Sequence, residues 1–257
     1  MNTRGNLTAL NTIVMREVTR ILRIWGQTLV PPAITMTLYF VIFGNLIGNR
    51  IGEMNGIRYI DFIVPGLIMM SVIQNSYGNI VSSFFGAKFQ RFIEEMLVSP
   101  TPNWVILAGY CVGAIVRGLM VGAIVLVVAM FFTKIKLHHP LVTLLTLLLT
   151  SVTFAFAGFI NAMYAKKFDD IAIVPTFVLT PLTYLGGVFY SVSLLPPFWE
   201  KLSHFNPILY MVNAFRYGLL GISDVPPLQS ITVMALAAIA LGVYASWLLK
   251  RGRGLRS

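Results

Sequence analysis

Chemistry-bearing residues are thin in this chain of 257: nine Asp and Glu, three His and a single Cys, with charged residues only 11% of the whole. The one cysteine, Cys111, excludes an internal disulfide and reads as a small packing residue rather than a reactive thiol. His138, His139 and His204 have no carboxylate or cysteine set beside them, so neither a metal site nor a catalytic cluster takes shape, and the His138-His139 pair reads as a solvated turn before Pro140. No lysine follows a glycine, which removes the loop that cradles nucleotide phosphates; any ATP must bind on another chain. No Asp or Glu stands in the middle of an apolar run, where coupling to protons or sodium would place one. The first 28 residues are amphipathic and basic, without the apolar core and small-residue cleavage site of a removable signal.

What the chain has instead is apolar length. Hydrophobic residues make up 57% and the mean hydropathy is +0.80. Six runs, at 29–47, 62–81, 105–132, 141–163, 171–190 and 231–249, each match the roughly 20 residues that carry a helix across about 30 Å of hydrocarbon. They are continuous rather than alternating, which argues against a barrel. The expected fold is an all-α integral membrane protein with six transmembrane helices in a single domain spanning 1–257. No remaining segment is built to run a reaction, so the chain is expected not to be an enzyme.

The net charge of +10 follows the sides of that membrane. With the N-terminus inside, the inner segments hold twelve basic residues (Arg4, Arg16, Arg20, Arg23, Lys88, Arg91, Lys166, Lys167, Lys250, Arg251, Arg253, Arg256) against six outside (Arg50, Arg58, Lys134, Lys136, Lys201, Arg216), while Arg117 lies within a span. Both termini are therefore expected in the cytoplasm. Charges divided among short segments make a poor nucleic-acid groove, and the lipid bilayer is the partner they fit.

Residues 6–26 space Leu10, Val14, Val18, Ile21, Leu22 and Trp25 by threes and fours, as a helix lying on the inner surface does, and Pro31 and Pro32 then open the first span. In the second span Ser71, Asn75, Gly78, Asn79 and Ser82 recur at helical spacing with Gln74 beside them. Amides and hydroxyls in hydrocarbon need partners or water, so the stripe either bonds to other helices or borders a wet passage. The segment 84–100 places Phe85, Phe89, Phe92, Ile93 and Met96 opposite Lys88, Arg91, Glu94 and Glu95, with Arg91 spaced to pair with either glutamate; Pro100 and Pro102 close it. Such a cytoplasmic helix lies on the membrane or enters a protein groove. Arg117 is costly in mid-span unless it meets the bundle, water or a counter-charge, which makes it a functional candidate and equally a structural one. Asp169 and Asp170 read as a helix-starting acidic pair. The fifth span carries Pro175 and Pro181 and is expected to kink, with Thr176, Thr180, Thr183 and Gly187 on one face and Tyr184 adding a polar-tipped ring. Forty outer residues follow, and the Pro-Pro-Phe-Trp at 196–199 and Asn-Pro-Ile-Leu-Tyr-Met at 206–211 start two short helices, expected over 194–221, that dip into the outer leaflet.

A lying N-terminal helix, six spans, the Phe-Ile-Glu-Glu-Met-Leu-Val-Ser-Pro at 92–100 and a re-entrant pair before the last span resemble the ABC-2 exporter permeases of bacterial inner membranes. The likeness includes Phe-Ile-Val-Pro-Gly-Leu-Ile-Met-Met at 62–70, residues 175–190, residues 194–199 and the tail 251–257. It implies a homodimeric permease joined to two copies of a cytoplasmic ATPase that holds ATP and Mg, so that this chain carries no cofactor. It further implies that Phe89, Arg91, Phe92, Glu94, Glu95 and Met96 couple to that ATPase. Spans two and five would border the path, with Ser71, Gln74, Asn75, Asn79, Ser82, Thr176, Thr180, Thr183 and Tyr184 as lining. The implied activity is ATP-driven outward transport. An ion-gradient-driven secondary transporter of amphipathic small molecules is the alternative, and a membrane-embedded enzyme a more distant one.

Overall fold

In a computed structural model, residues 3–54, 56–135 and 137–252 are described. Lys136, Arg253, Arg256 and the tail 253–257 lie outside the described residues. The fold is all-α apart from a hairpin of two-residue strands, β1 (Glu53–Met54) and β2 (Ile57–Arg58), in antiparallel register.

Helix α1 (Thr3–Arg23) is amphipathic, and its buried face is Ile13, Glu17 and Ile21, one residue per turn. Leu22 and Trp25 of the expected apolar face stay open, as do Leu7 and Met15. Two glycines of the third long helix set how close α1 comes: a methyl on Gly109 would stand 2.5 Å from Ile13 Cγ2, and one on Gly113 2.6 Å from Glu17 Cβ. The chain bends through α2 (Trp25–Thr28), and the two prolines occupy the opening turn of α3 (Val30–Tyr39), where missing backbone donors cost least. A π-helical stretch, Phe40–Ile47, and α4 (Gly48–Ile51) complete this arm.

Among the described residues four helical stretches are long and apolar enough to cross a membrane: Trp25–Ile51, α7 (Asn103–Met130), α8 (Pro140–Tyr164) and α13 (Pro227–Arg251). They coincide with four of the six expected runs. The second run falls inside α5 (Tyr59–Phe89), 31 residues and about 46 Å long, whose amides, serines and glycines dilute its hydropathy. It is the central post of the molecule, buried along most of its length between α7, α8 and the helix Pro207–Leu220.

The fifth run is helical without a gap, but its α-helical bonding is broken midway: α9 (Phe168–Val174) passes through a π turn (Pro175–Leu179) into α10 (Thr180–Tyr184). Pro175 has no N–H to offer the Ile171 carbonyl one turn back, and the Asn161 side-chain amide from α8 donates to that carbonyl instead, at 3.3 Å. The Thr180 backbone N–H and hydroxyl both turn to the Pro175 carbonyl five residues back.

The coupling segment also differs from the single helix the sequence suggests over 84–100. Helix α5 continues to Phe89, and Arg91 then takes a left-handed backbone (φ 63°) before α6 (Phe92–Val98). Past a short 3-10 turn (Val192–Leu194), α11 (Pro197–Ser203) and α12 (Pro207–Leu220) are two short helices within the expected stretch 194–221. Asn206 caps α12 by accepting from the Ile208 N–H, and Gly221 ends it at φ 77°. While α11 keeps Phe198 and Trp199 exposed, α12 is buried in the bundle. Arg216 locks it there, lying 3.9 Å over the Phe62 ring, donating to the Gly187 carbonyl at 2.6 Å and pairing with Asp224 at 3.7 Å.

Candidate functional site

The polar stripe of α5 resolves into two faces. Ser71, Asn75 and Asn79 are buried, and with Ser83 they repeat every four residues toward α7 and α1. The Ser71 hydroxyl donates to the Leu67 carbonyl and the Asn75 amide to the Ser71 carbonyl, each at 3.0 Å, so part of the face satisfies its own helix. The amide oxygens look outward. That of Asn75 accepts from Arg117 Nη2 at 3.2 Å, and that of Asn79 from Arg20 Nη2 at 2.8 Å. Gln74 and Ser82 form the other face together with Gly78; these two side chains are exposed, and a methyl on Gly78 would meet nothing within 4 Å. Of the two, only this second face is open toward anything beyond the chain itself.

Below Asn79 lies a cluster that the sequence reading missed. Glu17 is 1% exposed, yet its carboxylate is filled: the Ser83 hydroxyl stands 2.7 Å from both oxygens, Arg20 Nη2 lies at 3.0 Å and Arg16 Nη2 at 3.4 Å. Arg16 also donates to the Tyr110 hydroxyl at 2.6 Å. A buried carboxylate meeting two guanidinium groups and a hydroxyl ties α1 to α5 and α7. The signal was present, since Glu17 is the sole acidic residue before Glu53 and sits four residues from both Ile13 and Ile21. Arg117 belongs to the same ladder through Asn75, and no carboxylate among the described residues pairs with it.

At the elbow Ile93 is buried, while Phe89, Phe92, Leu97 and Val98 are exposed beside Arg91, Glu94 and Glu95. Met96 is half-buried, its sulfur 3.9 Å from the Tyr110 hydroxyl. The expected pairing of Arg91 with Glu94 or Glu95 does not form, because Arg91 stands at the left-handed break ahead of α6 rather than on its surface. The elbow is braced from behind. Phe168 meets the rings of Phe89 and Phe85 edge-on at 4.9 and 5.1 Å, and the Lys88 ammonium donates at 2.7 Å to the Met163 and Ala165 carbonyls at the end of α8. Burial, and then the neighbouring Lys166, hold the Lys88 pKa below its ordinary value against the pull of Asp170. Asp170 accepts from the Lys166 and Lys167 backbone N–H groups, which lowers its pKa and makes it the helix-starting carboxylate the sequence suggests.

On the broken helix Thr176, Thr180 and Tyr184 are exposed, whereas Thr183 is buried and donates to the Leu179 carbonyl at 2.7 Å. The Tyr184 and Tyr39 hydroxyls lie 3.3 Å apart, joining this helix to the α3 arm. Among the described residues no hydrogen bond joins the open face of α5 to that of α10. His138 and His139 are exposed in the turn before Pro140, as expected, although each also has a protein contact: His138 Nδ1 lies 2.9 Å from the Leu219 carbonyl, and His139 stacks on Tyr217 at 4.6 Å.

Comparison with known proteins matches residues 8–220 to the ABC-2 type transporter family. The chain is 60% identical over 249 residues, 97% of each chain, to the inner membrane transport permease YadH of Escherichia coli (strain K12). It is 26% identical over 220 residues to nodulation protein J of Rhizobium leguminosarum bv. trifolii, covering 85% of this chain and 84% of the relative.

Proposed function

Because the chain belongs to the ABC-2 type transporter family, we propose that it is the membrane-spanning subunit of an exporter that moves its cargo outward on ATP hydrolysed by a separate cytoplasmic ATPase. The family, the YadH likeness and the apolar helices make the chain a multi-pass inner-membrane transport permease. In the proposed exporter the six spans are the Trp25–Ile51 arm, α5, α7, α8, the broken α9 to α10 and α13. Helices α11 and α12 are the re-entrant pair, both termini are cytoplasmic, and two copies associate.

The observation that carries the proposal is the elbow. Exposed Phe89 and Phe92 with Glu94 and Glu95 make a small amphipathic surface of the kind that fits a protein groove, and it is continuous with the 31-residue α5 post. A push on α6 therefore reaches the polar faces of α5 as a rigid-body displacement. Cargo would pass along the open residues Gln74 and Ser82 of α5 and Thr176, Thr180 and Tyr184 of the broken helix. Ser71, Asn75, Asn79 and Thr183, buried within the protomer, would hold those walls in place.

Reconstitution with the partner ATPase tests the reading. Glu94→Arg is expected to abolish stimulation of ATP hydrolysis while the permease still inserts and elutes as the parent does. Undiminished stimulation, or transport driven by an imposed proton gradient without the ATPase, would overturn it.

A further inference from the structure

A cavity of about 310 Å³ opens where the first turn of α5, the connection between α7 and α8, and the end of α12 converge. Ile57, Val64, Ile135, Leu219 and Leu220 give it apolar walls, and its polar lining is Arg58, Asp61, Thr133, Lys134 and His138. The single carboxylate is already filled. Asp61 accepts from Arg58 Nε at 2.9 Å and Nη2 at 3.2 Å, and its Oδ1 also accepts from the Thr133 hydroxyl. Lys134 is exposed and has no ion-pair partner among the described residues. The charged lining is therefore the Arg58–Asp61 pair and one cation left over, Lys134, with an imidazole beside them. A space of this size with apolar walls and a surplus cation suits a molecule with an anionic head and a hydrocarbon body.

We propose that this cavity binds a phosphate-headed amphiphile, its phosphate between Lys134 and Arg58 and its chain against Val64, Leu219 and Leu220. The orientation proposed above places the cavity at the outer leaflet, and the leaflet assignment rests on that reading; the binding itself does not. An occupant would touch the outer ends of α5 and α12 together. The same phosphate chemistry could arrive on a membrane lipid or on a soluble phosphate ester, and the walls favour the lipid.

Native mass spectrometry of the detergent-purified full chain tests this with phosphatidylglycerol, phosphatidylcholine and glycerol phosphate as probes. Phosphatidylglycerol is expected to be retained over phosphatidylcholine, and Lys134→Glu to reduce that preference about fivefold or more, the scale of one basic contact near a membrane surface. Leu220→Trp, which leaves every charge in place but fills the apolar wall, is expected to weaken retention too. Lys201→Gln, at an outer lysine away from the cavity, is expected to do nothing. Unchanged selectivity in both Lys134→Glu and Leu220→Trp would overturn the site, as would displacement of phosphatidylglycerol by equimolar glycerol phosphate. Labelling of Lys134→Cys in intact cells with an impermeant maleimide settles the side separately, because Cys111 is buried and gives little background. Selective binding with Lys134 facing inward would sink the orientation and leave the site standing. Absent selectivity with Lys134 facing outward would do the reverse.

Discussion

A carboxylate taken out of water must be repaid by its neighbours, and Glu17 shows how narrowly that is met. Its side chain is 1% exposed while those of Arg16 and Arg20 are 46% and 30% exposed, so the two cations can retreat to water if the anion is lost. That retreat softens the 3–5 kcal/mol expected for breaking a fully buried pair, and Glu17→Gln is expected to cost about 1–3 kcal/mol. The loss should appear as a lowered midpoint of thermal unfolding and as faster amide exchange confined to α1. If exchange quickened equally throughout the bundle, Glu17 would be a general stability residue and not the latch of α1. Arg117 is a different case, since its single described bond to Asn75 is neutral and its neighbour Arg20 is a like charge. Positions 75, 79 and 83 thus hold two arginines and the carboxylate that neutralises one of them.

The elbow is a property of an element and not of any single contact. Arg91 adopts φ 63°, a region where a side chain with Cβ is strained and glycine is not. Arg91→Gly is expected to leave stability equal or slightly higher and Arg91→Val to lower it by about 1–2 kcal/mol, read by thermal unfolding of the purified permease. Equal effects of the two would mean that the turn is not held in this conformation in solution. The same position marks where the sequence stops being readable. Apolar length placed the four helices long enough to cross a membrane because burial in hydrocarbon depends on composition, and proline foretold the π turn in the fifth run because a missing N–H is a local fact. The break at Arg91 carries neither Gly nor Pro. It arises from Lys88 reaching the end of α8 and Phe89 meeting Phe168, contacts made across more than seventy residues. The polar ladder was half legible for the same reason. Its spacing on α5 was visible, but whether a given amide faces α7, α1 or open space depends on the roll of the helix, which Gly118 against Ser76, Gly122 against Val72, Gly158 against Tyr77 and Glu17 against Ser83 fix from other elements.

At the scale of the whole molecule the question is what the open faces meet. Exposed Ile34, Leu38 and Leu46 on the first arm, Phe177 on the broken helix, and Leu236 and Val243 on α13 are ordinary for side chains in contact with lipid. Gln74 and Thr176 are not, because an amide or hydroxyl turned to hydrocarbon loses its water without gaining a partner, and beside them Ser82 and Thr180 add hydroxyls that each bond a carbonyl of their own helix. Thiol chemistry separates the two environments, since only the thiolate reacts and it forms only where water reaches it. In a chain whose native Cys111 is buried, cysteines at Gln74, Ser82 and Thr180 are expected to react with a charged thiosulfonate at least about a hundredfold faster than a cysteine at Leu236, the span of reactivity that access and ionisation command. The comparison is to be made on the assembled transporter in membranes, with and without ATP. Rates at 74, 82 and 180 that rise or fall together with nucleotide would join the two helices in one passage worked by the elbow. Rates at these positions as low as at Leu236 would put both faces against lipid, and the route for cargo would have to be sought elsewhere in the bundle.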